Sequence, residues 1–400
     1  GKCGFLTKAC DLFDEMLVRD VVSWTTLIAG YVTCEHGNEA VNCFDQMQLE
    51  GVSPNGATFA CTLKACSIIG AKDKGIEIHT EIERKGLLHI LPVANMLVDM
   101  YVKFGLLGKA REAFETILNR DVVSWTTLLA GYCEYGHGKE ALECFGQMQF
   151  EGILPNTATL VCGLNACGIV GALERGQEIH LEIERQGLLE KEIIIGNALV
   201  DMYARCGLIY MSQEVFGKIP YRNVVSWNAI ITGYVEHGHA EEALSRYEQM
   251  QREGFYADAI TFASSLKACS ILKAIDIGQK IHAKAERQGL MQSDVVVGSA
   301  IVDMYVKCGS LVIAQAVFHK LPMRNVISWT ALIVGFAEHG HSEKAIEYFE
   351  RMQLEGISSD GATLVSMLKI CGTLGDLNKG QEIHSEIERH GHLKGHLSIG

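Results

Sequence analysis

The four tryptophans of this chain, Trp24, Trp125, Trp227 and Trp329, stand 101, 102 and 102 residues apart, each inside one recurring phrase: VVSWTTLIAGY, VVSWTTLLAGY, VVSWNAIITGY and VISWTALIVGF. Self-similarity at a fixed period signals an array in which each unit buries its apolar face against its neighbours. The 400 residues therefore read as one unit of about a hundred residues, repeated without a linker. Only 5 prolines occur, no run is rich in Ser or Pro, and the 41 glycines recur at matching places. A hydrophobic content of 48% suffices for a continuous core. No apolar stretch reaches the roughly 18 residues of a membrane span. The chain opens in mid-repeat with GKCGFLTKAC and shows no targeting segment, so we expect a fragment of a longer precursor.

Each unit divides again into three motifs, here termed opening, middle and short. They run 21–55, 56–90 and 91–121; 122–156, 157–192 and 193–223; 224–258, 259–294 and 295–325; and 326–360 and 361–396. A partial short motif, 1–20, precedes them, and 397–400 starts another. Each motif reads as two helices and a turn. In 224–258, Trp227, Ile230, Ile231 and Tyr234 fall at helical spacing behind Ser226, the candidate N-cap. His237, Gly238 and His239 then make a turn, and AEEALSRYEQMQRE forms a second helix closed by Gly254 as a left-handed C-cap. The middle motif starts from Thr261 in the same way. The expected fold is an all-α solenoid of paired antiparallel helices.

Of the 14 cysteines most recur once per unit, as do Cys66, Cys167, Cys269 and Cys371 in the phrases LKAC, LNAC, LKAC and LKIC. Recurrence at that distance suits small buried packing residues in a reducing compartment rather than disulfides. No CxxC occurs, which argues against zinc. The same reasoning applies to His79, His180, His282 and His384: a catalytic residue is needed once, a packing residue in every unit. No phosphate-binding glycine loop, no Ser-His-Asp arrangement and no zinc-deaminase signature is present. Neither a metal, a cofactor nor a small-molecule substrate is expected, and the chain alone should catalyse nothing.

The phrases carry a more particular signal. VVSWNAIITGY with EEAL and EQM, TFASSLKAC with IGQKIH, and VVVGSAIVDMYVKCGSL with AVFHKLPMRNV resemble, in that order and along essentially all 400 residues, the pentatricopeptide repeat family in its P-L-S triplet subclass. The resemblance implies a right-handed superhelical solenoid that binds single-stranded RNA, one motif per nucleotide, with the N-terminal motif facing the 5′ end. It further implies that the fifth and last residues of a motif address the base edge. These are Thr25 and Asn55, Asn95 and Asp121, Thr126 and Asn156, Asn197 and Asn223, Asn228 and Asp258, Ser299 and Asn325, and Thr330 and Asp360. Asp20 closes the partial motif without a partner.

The side-chain chemistry agrees with that assignment. An ionised Asp only accepts hydrogen bonds and suits the ring N–H of guanine or uracil, whereas Asn can donate to the bare ring nitrogen of adenine or cytosine. A small Thr or Ser leaves room for a purine, and a longer Asn reaches a pyrimidine. The pairs spell 5′-A-n-U-A-n-C-U-n-A-G-n-3′. The middle motifs are blank because Ala60, Val161, Ala263 and Val365 cannot read a base edge. They end in Ile90, Glu192, Asp294 and His396, and are expected to be spacers or contacts for another protein. By the same resemblance Val22, Val123, Ile194, Val225, Val296 and Ile327, at second positions, wedge between bases; Pro92 departs from that pattern.

Charge stands against the footprint usual for nucleic-acid binders: the net value is −13. Much of the acid falls in second helices, as in Glu77, Glu81, Glu83, Glu178, Glu182 and Glu184, away from a groove lined by first helices. The resemblance implies the recognition part of an organellar C-to-U RNA-editing factor, in plastid or mitochondrion, working with a deaminase domain or with organellar editing cofactor proteins. A helical-repeat scaffold for protein partners, without direct RNA readout, is the alternative that the acidity favours.

Overall fold

The computed structural model describes residues 4–389; His396 and the segment 397–400 lie outside them. All regular structure among the described residues is helical. The chain forms two compact units, Gly1–Cys206 and Gly207–Gly400. In the first unit the first helices are Val21–Thr33, Gly56–Ile69, Leu91–Lys103, Val122–Glu134, Thr157–Val170 and Ile193–Arg205. Those of the second unit are Val224–Glu236, Ala259–Leu272, Val295–Lys307, Val326–Glu338 and Gly361–Leu374. Within each unit successive first helices pack on one another as one layer, and the second helices lie against them as another. No helix among the described residues is long and apolar enough to cross a membrane.

The recurring tryptophan explains the junction between a short motif and the next opening motif. Trp24 and Trp125 in the first unit meet Phe13 and Phe114 edge-on, with centroids 4.6 Å apart in both cases. Trp227 and Trp329 in the second meet Phe216 and Phe318 at 4.9 and 4.7 Å. All four indoles are buried, and such pairs add about 0.5–1.5 kcal/mol beyond their area. An arginine covers each phenylalanine ring, Arg19, Arg120, Arg222 and Arg324 lying 4.8, 4.8, 4.7 and 5.1 Å from the centroids. Its Nε donates to the carbonyl of that same phenylalanine, at the C-terminal end of the preceding helix, where a cation is favoured.

The middle-to-short junction is set by close approach. A Cβ on Gly176 would stand 2.6 Å from Met202 Sδ, and one on Gly278 2.5 Å from Met304 Sδ. Glycine there lets the second helix of the middle motif lie against the first helix of the short motif. The histidines of the same helices are structural: His79, His180 and His282 bond through Nδ1 to the hydroxyls of Tyr101, Tyr203 and Tyr305 at 2.6, 2.8 and 3.0 Å. Burial pushes the recurring thiols up, Cys66 to about 11 and Cys167 and Cys269 to about 12, so they remain protonated packing groups.

Helix ends correct one detail of the sequence reading. Ser226 and Thr261 are not N-caps. Asn223 and Asp258 are, and the hydroxyl residues lie three places later, inside reciprocal capping boxes. At the other end Gly254 is left-handed with φ +84°. It follows the last turn, and Phe255 N–H closes the helix on the Met250 carbonyl at 3.1 Å.

Candidate nucleic-acid interface

Every last residue of the seven candidate pairs is the N-cap of the first helix that follows. The backbone there is extended, and the side-chain Oδ1 accepts the N–H three residues on. The distances are 3.0 Å for Asn55, 2.8 Å for Asp121, 2.9 Å for Asn156, 3.0 Å for Asn223, and 2.9 Å for Asp258, Asn325 and Asp360. Asp20 caps in the same way. Capping alone therefore accounts for the recurrence of Asn and Asp at these places, since the two cap about equally well. It does not account for the choice between them. It also turns one oxygen inward, so the remaining head atom, an amide Nδ2 in Asn or a carboxylate Oδ2 in Asp, decides what the position offers.

The fifth residues lie just beyond the first turn of the first helix, and within each unit they face the cap of the next motif. Thr25, Thr126 and Thr330 are half-buried. Asn228 and Ser299 are buried, at 6% and 2% exposure, and Asn197, in the first unit, is likewise buried. Asn228 Nδ2 donates to both Asp258 oxygens at 3.0 and 2.9 Å, and Ser299 Oγ donates to Asn325 Oδ1 at 2.8 Å. The Oδ1 of Asn95 is buried without a partner. Burial opposes ionisation of Asp121, but the Ser124 N–H, the Ser124 hydroxyl and the Asn95 amide together hold its pKa below the ordinary carboxylate value. At Asp20 the Ser23 N–H and hydroxyl lower the pKa in the same manner.

The second residues stand on the same helix face as the fifth, at i and i+3. All six are large apolar groups left open to solvent: Val22, Val123, Ile194, Val225, Val296 and Ile327 are 52–63% exposed. Ile260, in a middle motif, is exposed to the same degree. The sequence reading passes over it because Ala263 sets its motif aside at the fifth position, although the second position carries the signal. In the first unit Val123, Thr126 and Asn156 line one shallow groove with Val102, Lys103, Thr127, Ala130 and Glu134. One complete set of second, fifth and last residues thus shares a surface. The middle motifs supply no such set. Ile90 and Glu192 precede their helices without a side-chain cap bond, whereas Asp294 does cap, accepting from the N–H of Val296 and Val297.

The third residues are also absent from the sequence candidates. Thr58, Ser124, Thr159, Ser226, Thr261, Ser328 and Thr363 are wholly buried beneath the caps. Four of the six Lys and Arg side chains of the first helices are already paired, Lys267 and Lys369 being the others. Lys64 meets Asp99 at 3.1 Å, Lys103 meets Glu134 at 3.1 Å, Arg205 meets Asp201 at 2.7 Å, and Lys307 meets Asp303 at 2.9 Å. Among the described residues no cluster of His, Cys, Asp and Glu is placed to hold a metal ion.

With this geometry in view, comparison with known proteins is specific. A model described as the PPR repeat family matches residues 19–67, 120–168, 222–270 and 324–373, and a PPR repeat model matches 1–21 and 93–122. A chloroplastic pentatricopeptide repeat-containing protein of Arabidopsis thaliana is 36% identical over 93% of this chain and 60% of its own length. A mitochondrial one from the same plant is 33% identical over 96% of this chain and 56% of its own length. The chain thus spans less than two thirds of either relative. The maize pentatricopeptide repeat protein PPR10 shares the fold with a TM-score of 0.66 at 18% identity, covering 98% of this chain and 62% of that one. A structure of PPR10 with an 18-nt psaJ RNA element superposes at 0.67. On its repeated motifs, its paired helices and these matches, the chain belongs to the pentatricopeptide repeat family.

Proposed function

We propose that this chain binds single-stranded RNA in a sequence-specific manner, one motif per nucleotide, with the preference 5′-A-n-U-A-n-C-U-n-A-G-n-3′. The observation that carries the reading is the combination of an exposed apolar second residue with a fifth and a capping residue that face one another. The cap is Asn in some motifs and Asp in others, an alternation for which helix stability has no use. PPR10, which shares the fold, has been crystallised with RNA. The alternation of motif lengths supports placement in the P-L-S subclass. That subclass suggests the recognition part of an organellar C-to-U editing factor, the chemistry being supplied by a deaminase domain or by editing cofactor proteins. The names of the relatives, chloroplastic and mitochondrial, support a plastid or a mitochondrion as its place of work.

Competition binding tests the reading directly. RNA of the stated sequence should outcompete its complement and the duplex of the two, because base edges must be exposed to be read. Equal affinity for all three would sink it. Uniform failure to bind RNA would favour the protein scaffold, the reading that the net charge of −13 and the paired cations support.

A further inference from the structure

We infer that Thr58, Thr159, Thr261 and Thr363, the third residues of the four middle motifs, are positioning residues for the base-reading pairs of the motifs before them. The inference rests on the RNA reading above and assigns a task to motifs that carry no reader of their own. Each threonine is wholly buried. Its hydroxyl touches both members of the preceding pair. Thr58 Oγ1 lies 2.6 Å from Thr25 Oγ1 and 3.0 Å from Asn55 Oδ1. Thr159 Oγ1 lies 2.8 Å from both Thr126 Oγ1 and Asn156 Oδ1. In the second unit Thr261 Oγ1 meets Asn228 Oδ1 at 2.5 Å and Asp258 Oδ1 at 2.9 Å. Thr363 Oγ1 meets Thr330 Oγ1 at 2.7 Å and Asp360 Oδ1 at 2.8 Å.

The threonine N–H already reaches the cap Oδ1 in all four. The hydroxyl, which at Thr58 and Thr261 also accepts the N–H of the cap residue, adds the contacts to the pair. At the pair Asn228 and Asp258 its effect can be followed atom by atom. Oδ1 of Asp258 takes the Thr261 N–H and one contact from Asn228 Nδ2 and lies 2.9 Å from the Thr261 hydroxyl, whose one proton has its shorter contact, 2.5 Å, with Asn228 Oδ1, whereas Oδ2 takes only Asn228 Nδ2. Oδ2 is thus the oxygen left with capacity to accept from a base. The same hydroxyl faces Asn228 Oδ1 and so holds that amide with its nitrogen towards the carboxylate. Removing the hydroxyl frees the amide to rotate and loosens both members at once.

Short motifs lack this bridge at the one comparable junction in the same unit. There Ser328 Oγ donates to the Asn325 carbonyl, and Ser299 bonds Asn325 directly. Ser328 therefore serves as an internal control.

The test uses the intact chain and 11-nt RNAs matching the proposed preference that differ only at the seventh nucleotide, U or C. Thr261→Val should reduce the U-over-C ratio about fivefold, the equivalent of one net hydrogen bond, with preferences at other positions unchanged. Thr261→Ser should restore the ratio. Ser328→Ala should keep the preference at the ninth nucleotide. Thr159→Val, read at the fourth nucleotide, repeats the experiment in the other unit should Thr261→Val not fold. An unchanged ratio in both valine variants, or an equal loss of affinity for every RNA, overturns the inference. Asp258→Asn, measured alongside, separates the two claims. If it shifts the preference while the valine variants do not, only the positioning role falls. If the wild-type chain shows no preference at the seventh nucleotide, the reading and the inference fall together.

Discussion

Asp258 concentrates the account at the scale of a residue. Its Oδ1 is committed to the cap and its Oδ2 is the less occupied acceptor. Asp258→Asn preserves size and capping ability and reverses the hydrogen-bonding demand of the outer atom. The expected outcome is a shift of preference at that nucleotide from U towards C, by about 1 kcal/mol if one mismatch behaves as in other complexes. Competition between two RNAs differing only there decides it. A variant that keeps the preference for U places the register of the array in doubt. The chain already carries Asn at both positions in Asn197 and Asn223.

At the scale of the helix pair, much is legible in the sequence, and the misreadings have a physical cause. Period, helix count and turn glycines such as Gly254 follow from spacing and from the rarity of left-handed backbone in other residues. Ser226 and Thr261 are misplaced as caps because hydroxyl residues cap helices as Asn and Asp do. In these reciprocal boxes the two exchange hydrogen bonds, and composition alone does not say which stands outside the helix. The buried threonine bridge is invisible in the sequence for a different reason: it forms only when the next helix docks, bringing Thr58 against Thr25 across 33 positions of chain. The recurring histidines give this scale its prediction. Burial holds His79 and His282 below the ordinary value of 6.5, with Glu83 and Glu286 opposing and Lys109 and Lys320 reinforcing the shift. Below that value the unfolded chain binds protons that the folded chain does not, so stability falls as pH drops through the range just beneath 6.5. Thermal melts from about pH 7.5 to about 5.5 should show this loss, and the double variant His79→Gln, His282→Gln should flatten it. An equally steep loss in the variant would assign the effect elsewhere.

For the whole molecule the deciding quantity is charge. A chain of net −13 in which four of the six first-helix cations are paired, with Asp99, Glu134, Asp201 and Asp303, has few positive groups to give to phosphates. Affinity for RNA should therefore depend weakly on salt. A slope matching six or more released ions would contradict this, since the single-strand slope is about −0.7 per phosphate neutralised. Specificity must then come from base edges and from the apolar second residues, which makes the sequence preference the central claim. Selection from a random single-stranded RNA pool measures it most directly. The account predicts enrichment of A-n-U-A-n-C-U-n-A-G-n with the four n positions left random; a pool that emerges unenriched, or whose strongest constraints fall at those four positions, would contradict it.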